Sequence, residues 1–338
     1  MKCYVGIDLH SNNNVVVVLD EQDHVVGQTR LPNNLERVVR YLSAYKDRIV
    51  GIAVESTFNW YWLVDGLMEE GYRLHLVNTA AVHQYSGLKY SDDKDDARWL
   101  AHLLHLGILP TGYIYPKEAR AVRDLLRKRA QLVRQRSTQI LCIESLLSRH
   151  LGQRANANAI KQWTPEDVDR LPLVAEARLA VDSHRVVFRC IDGEIDRLEK
   201  VILNRMVESP AYHQLQTVSG IGKILSFTIA LETGDIHRFP GVGNFASYCR
   251  CVGSQHLSNG KQKGVGNTKN GNRYLAWAFV EAAHFAVRYD ETIKRYYERK
   301  RAQTHPVVPI KTVAHKLARA CYHVMRDGVD FETKRAFA

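Results

Sequence analysis

The sequence predicts an α/β domain at the amino terminus, a long helical hairpin in the middle and a mainly helical carboxy-terminal domain. Three observations support this fold class. Short β-branched runs alternate with amphipathic segments over the first hundred residues. Two long segments of helical periodicity follow, and an apolar, alanine-rich helix lies in the last third. The expected domains are residues 1–112, 113–212 and 213–338.

The amino-terminal elements are predicted in the order βββαβαβα. The predicted strands are 3–9, 15–19, 24–31, 49–54 and 73–77, and the predicted helices are 34–48, 59–70 and 93–106. Gly71 and Gly107 mark the ends of the last two helices, because glycine is the usual residue just beyond a helix. This order is that of the ribonuclease H-like (RuvC-like) fold, in which the first and fourth strands lie side by side.

The middle section is helical at 117–151 and again from about 176 to 207, with a polar connection at 156–165. Two such helices predict an antiparallel, coiled-coil-like hairpin. The first is rich in arginine, and residues such as Arg127 and Arg134 are candidates for binding a nucleic-acid backbone without sequence preference. A solvated face of a dimerising hairpin explains the same pattern equally well.

Charge is distributed unevenly along the 338 residues. The net charge is +11 and the sequence pI is about 9.3, which favours a polyanionic partner; an anionic membrane surface would also fit. Residues 1–100 carry 10 basic and 14 acidic side chains, whereas residues 251–338 carry 16 and 7. An acidic site within a basic protein suits metal-assisted chemistry on nucleic acid.

No apolar stretch approaches the roughly 20 residues that span a bilayer, so we expect a cytoplasmic protein that does not bind membranes. The six cysteines include no CxxC pair, which favours reduced structural thiols over a zinc site.

Four carboxylates are candidate magnesium ligands, with manganese as an alternative. Asp8 and Glu55 end the first and fourth predicted strands, and Asp93 and Asp96 share one face at a helix start. Hard oxygen donors favour these ions, and two ions together would assist phosphoryl displacement. Strand-end polar residues and an acidic helix start would explain each residue taken alone.

A second acidic pair, Asp92 and Asp95, has the same spacing. Asp93 and Asp96 align with Ala97 and Leu100 on the apolar face of the predicted helix, whereas the second pair aligns with polar residues. The apolar-face pair is therefore the better ligand candidate.

Two carboxy-terminal segments are candidates for phosphate contacts. Residues 217–223 resemble a helix-hairpin-helix turn, in which Gly220, Gly222 and Lys223 would present amides and a cation at a helix start. Residues 236–280 contain no carboxylate, and within them 253–272 is a glycine-rich polar loop. The candidate cations in and after this loop are Lys261, Lys263, Lys269 and Arg273.

In these motifs the chain resembles the DEDD transposases of insertion sequences (the 110/1111 family), which are related to Piv-type DNA invertases. The resemblance covers nearly the whole chain. The motifs that carry it are Gly6-Ile-Asp8-Leu-His10, Val54-Glu55-Ser-Thr57, Asp93-Lys-Asp-Asp96-Ala-Arg98, residues 215–222 and residues 253–272.

The resemblance implies that Ser258 is the nucleophile of a transposase that forms a covalent phosphoserine link to DNA. It implies that the four carboxylates bind Mg²⁺, and that the metal domain of one subunit completes the serine site of another in a homo-oligomer, a dimer or tetramer. It also implies a noncoding guide RNA. Ser254 is the rival serine, and Asn259 stands where many relatives have serine or threonine.

A serine hydroxyl needs a group that removes its proton. His256 is the candidate within the loop, and a metal-bound oxygen or one of the four carboxylates are the others.

Three other functions remain possible from the residues alone. A RuvC-like endonuclease would use water at the same carboxylates, and a noncatalytic nucleic-acid-binding protein would keep the fold without the chemistry. A sugar-kinase-like or actin-like ATPase also opens with a Gly-Ile-Asp strand, but residues 9–12 lack its glycine-rich phosphate turn.

Overall fold

The computed structural model describes residues 1–82, 92–206, 210–253, 256–264, 270–305 and 307–337. The chain forms two compact units, Met1–Lys117 and Glu118–Ala338. The first unit carries 11 Lys and Arg against 14 Asp and Glu, and the second carries 36 against 22. The basic excess therefore belongs entirely to the second unit.

A mixed five-stranded sheet forms the centre of the first unit, so this part of the chain is α/β. Its strands are β1 (Cys3–Leu9), β2 (Asn13–Leu19), β3 (Val25–Pro32), β4 (Ile49–Glu55) and β5 (Leu74–Val77). The strand order is β3-β2-β1-β4-β5. β1 pairs with β2 antiparallel and with β4 parallel, so the first and fourth strands are neighbours, as the element order predicted.

Three helices accompany the sheet: α1 (Leu35–Ser43), α2 (Tyr61–Glu69) and α3 (Asp93–His105). The prediction that α1 reaches residue 48 was wrong. Its last turn tightens, because the amide of Tyr45 bonds to the carbonyl of Leu42, and a separate 3₁₀ turn at Lys46–Arg48 leads into β4.

Gly6 explains how closely α3 approaches β1. A Cβ atom on Gly6 would lie 1.9 Å from the carbonyl oxygen of Ala97 and 2.8 Å from the amide of Ala101. Both alanines are fully buried against β2, so small residues on each side of the interface let the backbones meet. This contact holds the start of α3 beside the end of β1.

An antiparallel helical hairpin begins the second unit. It consists of α4 (Lys117–Leu151) and α7 (Ala175–Met206), and the connection contains two short helices, α5 (Ala157–Ile160) and α6 (Pro165–Asp169). Ion pairs from Arg129 to Glu199 and from Arg136 to Asp192 fix the antiparallel direction. Ile143, Val181 and Phe188 form part of its apolar core.

The remainder of the second unit is mainly helical. Its elements are α8 (Pro210–Leu215), α9 (Lys223–Thr233), α10 (Val242–Tyr248), β6 (His256–Ser258), β7 (Lys261–Gly264), α11 (Arg273–Tyr289), α12 (Glu291–Arg301), α13 (Val307–Asp327) and α14 (Thr333–Phe337). Phe245, Phe279 and Leu317 are fully buried at its centre. The prediction of a loop throughout 253–272 was wrong, because β6 and β7 form a β-hairpin within it.

Within the described ranges, no helix combines the length and apolar character that a membrane span requires. All six cysteines carry free thiols.

Candidate active site

The parallel pairing of β1 with β4 brings two carboxylates together. Ile7 lies opposite Val54 in the register, so Asp8 and Glu55 follow at the same edge of the sheet. Asp8 is almost fully buried, and its carboxyl group shares a hydrogen bond with that of Glu55. The carboxyl groups of Asp8 and Glu55 therefore lie within hydrogen-bonding distance of each other at one edge of the sheet.

The pKa of Glu55 is raised to about 8. Burial is the largest cause, followed by the hydrogen bond with Asp8 and the negative charges of Asp8 and Asp96. Near neutral pH, and without a cation, the carboxyl of Glu55 therefore retains a proton. Burial thus favours the neutral form of Glu55 most, and the neighbouring carboxylates favour it further.

Asp93 lies at the start of α3 and contacts two basic side chains, Arg30 and His10. Its Oδ2 atom accepts a hydrogen bond from Arg30 of β3 and lies 3.1 Å from Nε2 of His10. The bond from Arg30, then that from His10, lower the pKa of Asp93. The same Nε2 atom lies 3.3 Å from Oδ2 of Asp8, so His10 lies between the two aspartates.

The second acidic pair has a local structural role. Asp92 is the N-cap of α3 and accepts hydrogen bonds from the amides of Lys94 and Asp95, while Asp95 accepts from the amide of Asp92. This reciprocal arrangement is a capping box, which satisfies amides that no carbonyl can reach at a helix start. Asp96, one position further on, is next to the closely packed Ala97.

His10 and Arg30 are site residues that the sequence reasoning missed. Ligand atoms of Asp8, His10 and Asp93 all lie within 4.8 Å of one another, which is a spacing that one metal ion could bridge. The carbonyl of His10 accepts hydrogen bonds from Asn33 and Asn59, so its backbone is fixed from two sides. The signal that could have found His10 was its position in the Gly6-Ile-Asp8-Leu-His10 motif.

Ser258 ends the first strand of the β-hairpin in the second unit. Asn259 and Gly260 follow with φ of 51° and 70°, the left-handed pair that a two-residue hairpin turn requires. Ser258 pairs with Lys261 across the turn, so their side chains share one face. The candidate nucleophile is half-buried, and the neighbouring lysine is exposed.

The segment that carries this hairpin is fixed at its base. The guanidinium of Arg250 donates two hydrogen bonds, of 3.1 and 2.9 Å, to the carbonyl of Gly271. The amide of Asn272 donates to the carbonyl of Tyr248. A Cβ on Gly271 would lie 2.5 Å from that same carbonyl, so the two ends of the segment meet backbone to backbone.

A buried acid in α9 extends this base to the helical hairpin. Glu232 is 1% exposed, accepts two hydrogen bonds from Arg127 of α4 at 2.6 and 2.7 Å, and accepts another from the side chain of Asn272 at 2.6 Å. Arg127 also lies over the ring of Tyr274, 4.6 Å from its centre. The guanidinium of Arg127 is thus engaged by Glu232 in this structure.

The other predicted nucleic-acid contacts differ in their surroundings. Lys223 at the start of α9 and Arg134 on α4 are exposed. Arg273 is exposed and lies over the ring of Tyr274.

The glycine turn lies at the start of α9. Gly222 is the N-cap of this helix and has no side chain to cap it, and Gly220 packs against α11. The remaining exposed cation on the hairpin is Lys263. Lys269 and Ser254 lie outside the described residues.

Comparison with known proteins matches both units to transposases. A DEDD transposase model for IS110 matches residues 5–151, and a model described as the transposase IS116/IS110/IS902 family matches residues 212–298. The first match includes the four acidic candidates, and the second includes Ser258.

Three curated relatives resemble most of the chain. A probable family 20 transposase of Pseudomonas aeruginosa is 25% identical over 84% of this chain and 84% of its own length. The transposase for insertion sequence element IS1111A of Coxiella burnetii is 23% identical over 84% and 78%. The transposase for insertion sequence element IS1328 of Yersinia enterocolitica is 22% identical over 97% and 98%.

The matches and the acidic site together define an enzyme that recombines DNA, a transposase. The chain belongs to the IS110 family of insertion-sequence transposases.

Proposed function

We propose that this transposase cuts and rejoins DNA through a covalent phosphoserine intermediate at Ser258, with a divalent metal bound by Asp8, Glu55, Asp93 and Asp96. The observation that carries the metal half of the proposal is the meeting of Asp8 and Glu55 at one edge of the sheet, with Asp96 of α3 close enough for its charge to raise the pKa of Glu55. The element order, with β1 beside β4, supports a ribonuclease H-like assignment for the first unit.

The residues present fit Mg²⁺, and Mn²⁺ would fit the same donors. Carboxylate oxygens are hard ligands, and burial together with the neighbouring charges of Asp8 and Asp96 makes the ionised form of Glu55 costly unless a cation is bound. When bound, the ion would stabilise negative charge on the attacking and leaving oxygens of a phosphoryl displacement. His10 and Arg30 orient Asp93, and their contacts offset part of the negative charge of the four carboxylates.

The serine supplies the covalent half. Its Oγ would form a bond to the scissile phosphorus as the bond from phosphorus to the leaving strand oxygen breaks; the hydroxyl proton departs from Oγ and the leaving oxygen gains a proton. One phosphate ester replaces another, so rejoining needs no external energy source. Lys261, paired with Ser258 across the hairpin, is positioned to hold a phosphate oxygen.

We further propose that the DNA partners are element ends and a target, chosen with a structured noncoding RNA, and that the active form is a homo-oligomer. The 36 basic residues of the second unit support a polyanionic partner of this kind. Adding RNA transcribed from the DNA beside the gene to purified protein should restore recombination, and unrelated RNA should not.

A trapping experiment tests the chemistry. Wild-type protein, Mg²⁺ and element-end DNA should yield a protein–DNA adduct that survives denaturation. Ser258→Ala should abolish the adduct, whereas Ser254→Ala should retain it, and Asp8→Asn should abolish it without unfolding the chain. Strand cleavage that persists in Ser258→Ala would instead indicate an endonuclease with water as nucleophile. Recombination that persists in Asp8→Asn would contradict the metal site.

A further inference from the structure

A pocket in the second unit combines the glycine turn with exposed aromatic rings. Residues 216–225 line it together with Phe285 and Tyr289 of α11, and its volume is about 580 Å³. This volume lies within the range of small-molecule and cofactor sites. Among the described residues, the lining contains one cation, Lys223, and no carboxylate.

The close packing of Gly220 explains why the turn and the rings form one pocket. A Cβ on Gly220 would lie 2.2 Å from the carbonyl of Ala282 and 2.6 Å from the amide of Ala286, so the turn rests directly on α11. Ser219 on the same turn donates a 2.7 Å hydrogen bond to Asp290, just beyond the helix. The turn is therefore held at the level of α11 from which Phe285 and Tyr289 project.

Much of the surface of both rings is exposed to solvent. Phe285 is 44% exposed and Tyr289 is 72% exposed. Their planes lie within 6° of parallel, with centres 6.4 Å apart, and the guanidinium of Arg288 lies 5.4 Å from the centre of the Tyr289 ring. Aligned exposed rings flanked by cations are the arrangement on which proteins stack unpaired bases.

We infer that this pocket binds an unpaired nucleotide, whose base stacks on Phe285 and Tyr289 and whose flanking phosphates contact Lys223 and Arg288. The inference rests on the proposed function, because it assumes a nucleic-acid partner. It adds that this partner is single-stranded where it enters the pocket. A base inside a duplex cannot stack on side chains, whereas an unpaired base offers both of its faces. The net charge of +14 on the second unit, 36 basic against 22 acidic residues, complements the strand.

The test compares single-stranded and duplex DNA of the same mixed sequence, each carrying 2-aminopurine, whose fluorescence falls when it stacks on an aromatic ring. Full-length wild-type protein should quench the single strand. Phe285→Ala and Tyr289→Ala should each weaken single-strand binding about 5- to 150-fold, the range for loss of one stacked base, and leave duplex binding within about twofold. Tyr289→Phe should retain binding, since the ring remains.

Trp277→Ala provides a matched control, because Trp277 is 41% exposed on the same helix but does not line the pocket. It should bind the single strand like the wild type. Equal weakening for single strand and duplex would overturn the inference, as would unchanged affinity. A change in oligomeric mass with unchanged affinity would assign the rings to contact between copies of the chain, and would also overturn it.

The two proposals fail separately. If wild-type protein forms the serine adduct while the ring variants bind single strands normally, only the pocket inference is wrong. If wild-type protein forms no adduct with element-end DNA but the ring variants lose single-strand binding, the pocket inference holds and the proposed chemistry is wrong.

Discussion

The acidic site of the first unit and the serine segment of the second hold their candidate residues in different ways. Asp8 and Glu55 lie on paired strands, and Asp93 and Asp96 lie on a helix packed against those strands, so regular hydrogen bonding fixes all four backbones. Ser258 lies at the end of a short hairpin, and contacts of the described residues Arg250 and Gly271 fix the base of its segment. Metal ligands need fixed mutual geometry, whereas a nucleophile must reach a phosphate on a separate molecule.

The comparison indicates where each region is vulnerable. In the first unit, a change at a distance from the carboxylates acts through backbone packing, as at Gly6. In the second unit, such a change acts through the contacts at the base of the serine segment, as at Glu232.

Gly6→Ala should be the most disruptive single change. The added Cβ would overlap the carbonyl oxygen of Ala97 at 1.9 Å, and backbone atoms cannot move aside as a flexible side chain can. We expect a loss of about 4 kcal/mol or more in the stability of the first unit, above the usual range for overpacking. Urea unfolding, followed by far-ultraviolet circular dichroism, measures this loss.

Gly112→Ala is the control for this change, because its Cβ would meet only the carbonyl of Leu76 at an ordinary 3.6 Å. It should leave the unfolding midpoint nearly unchanged. A Gly6→Ala protein as stable as this control would show that α3 is not locked against β1.

Glu232→Gln should destabilise the second unit by about 3 kcal/mol, because it leaves the guanidinium of Arg127 without its charged partner next to a buried position. It should also reduce adduct formation, since Asn272 loses its charged acceptor at the end of the serine segment. Thermal unfolding and the trapping assay measure the two effects.

Glu199→Gln removes the partner of Arg129 in an ion pair whose acid is 35% exposed, against 2% for Glu232, and should cost about 1 kcal/mol or less. If Glu232→Gln behaved like Glu199→Gln in both assays, the buried acid would not support the segment.

Much of the first unit was predictable because its signals are local. β-branched runs marked β1 and β2, and Gly107 marked the end of α3. The choice of Asp93 and Asp96 remains a prediction, although the capping box gives Asp92 and Asp95 another role. His10 and Arg30 were missed because their contact with Asp93 depends on how three elements pack.

The second unit was harder to predict because its decisive contacts are distant in sequence. Arg127 and Glu232 are separated by 105 positions, so the pattern showed a free cation where the structure shows an ion pair. The hairpin was predictable in principle, since Asn259-Gly260 is a strong turn signal, but glycine-rich flanks concealed the strands.

The carboxylate cluster should make stability depend on pH in a manner that Mg²⁺ abolishes. The pKa of Glu55 is about 8 in the folded chain against an ordinary value of 4.5. Its contribution is therefore most favourable below pH 4.5 and is lost as the pH rises towards 8. Without metal, the melting temperature should fall over this interval, and saturating Mg²⁺ should remove the part of the fall that Glu55 causes.

Glu55→Gln isolates this effect, because it keeps the shape of the side chain and removes the charge. It should melt at a higher temperature than the wild type at about pH 8 without metal, and should gain less from Mg²⁺. A variant that is less stable than the wild type in the same metal-free buffer would contradict the assigned cost of ionising Glu55 in the folded chain.

The smallest expected effect concerns the turn beside the serine. Gly260 has φ of 70°, and no described residue other than its two chain neighbours has an atom within 4 Å of the place that a Cβ would occupy, so Gly260→Ala should add conformational strain of about 1–2 kcal/mol. Among the described residues the two hairpin strands form a sheet of their own, so the melting temperature should change little. If this strain shifts the conformational equilibrium of the hairpin away from the native turn, adduct formation should fall about 5- to 30-fold.

Gly243→Ala is the matched control, since that glycine also has open space around it but lies within α10 at an ordinary φ. It should leave adduct formation unchanged. Equal activity of the two variants would mean that the turn does not position Ser258. A selective loss in Gly260→Ala would mean that the candidate nucleophile depends on its hairpin turn for its position, as the candidate carboxylates depend on the sheet and on α3.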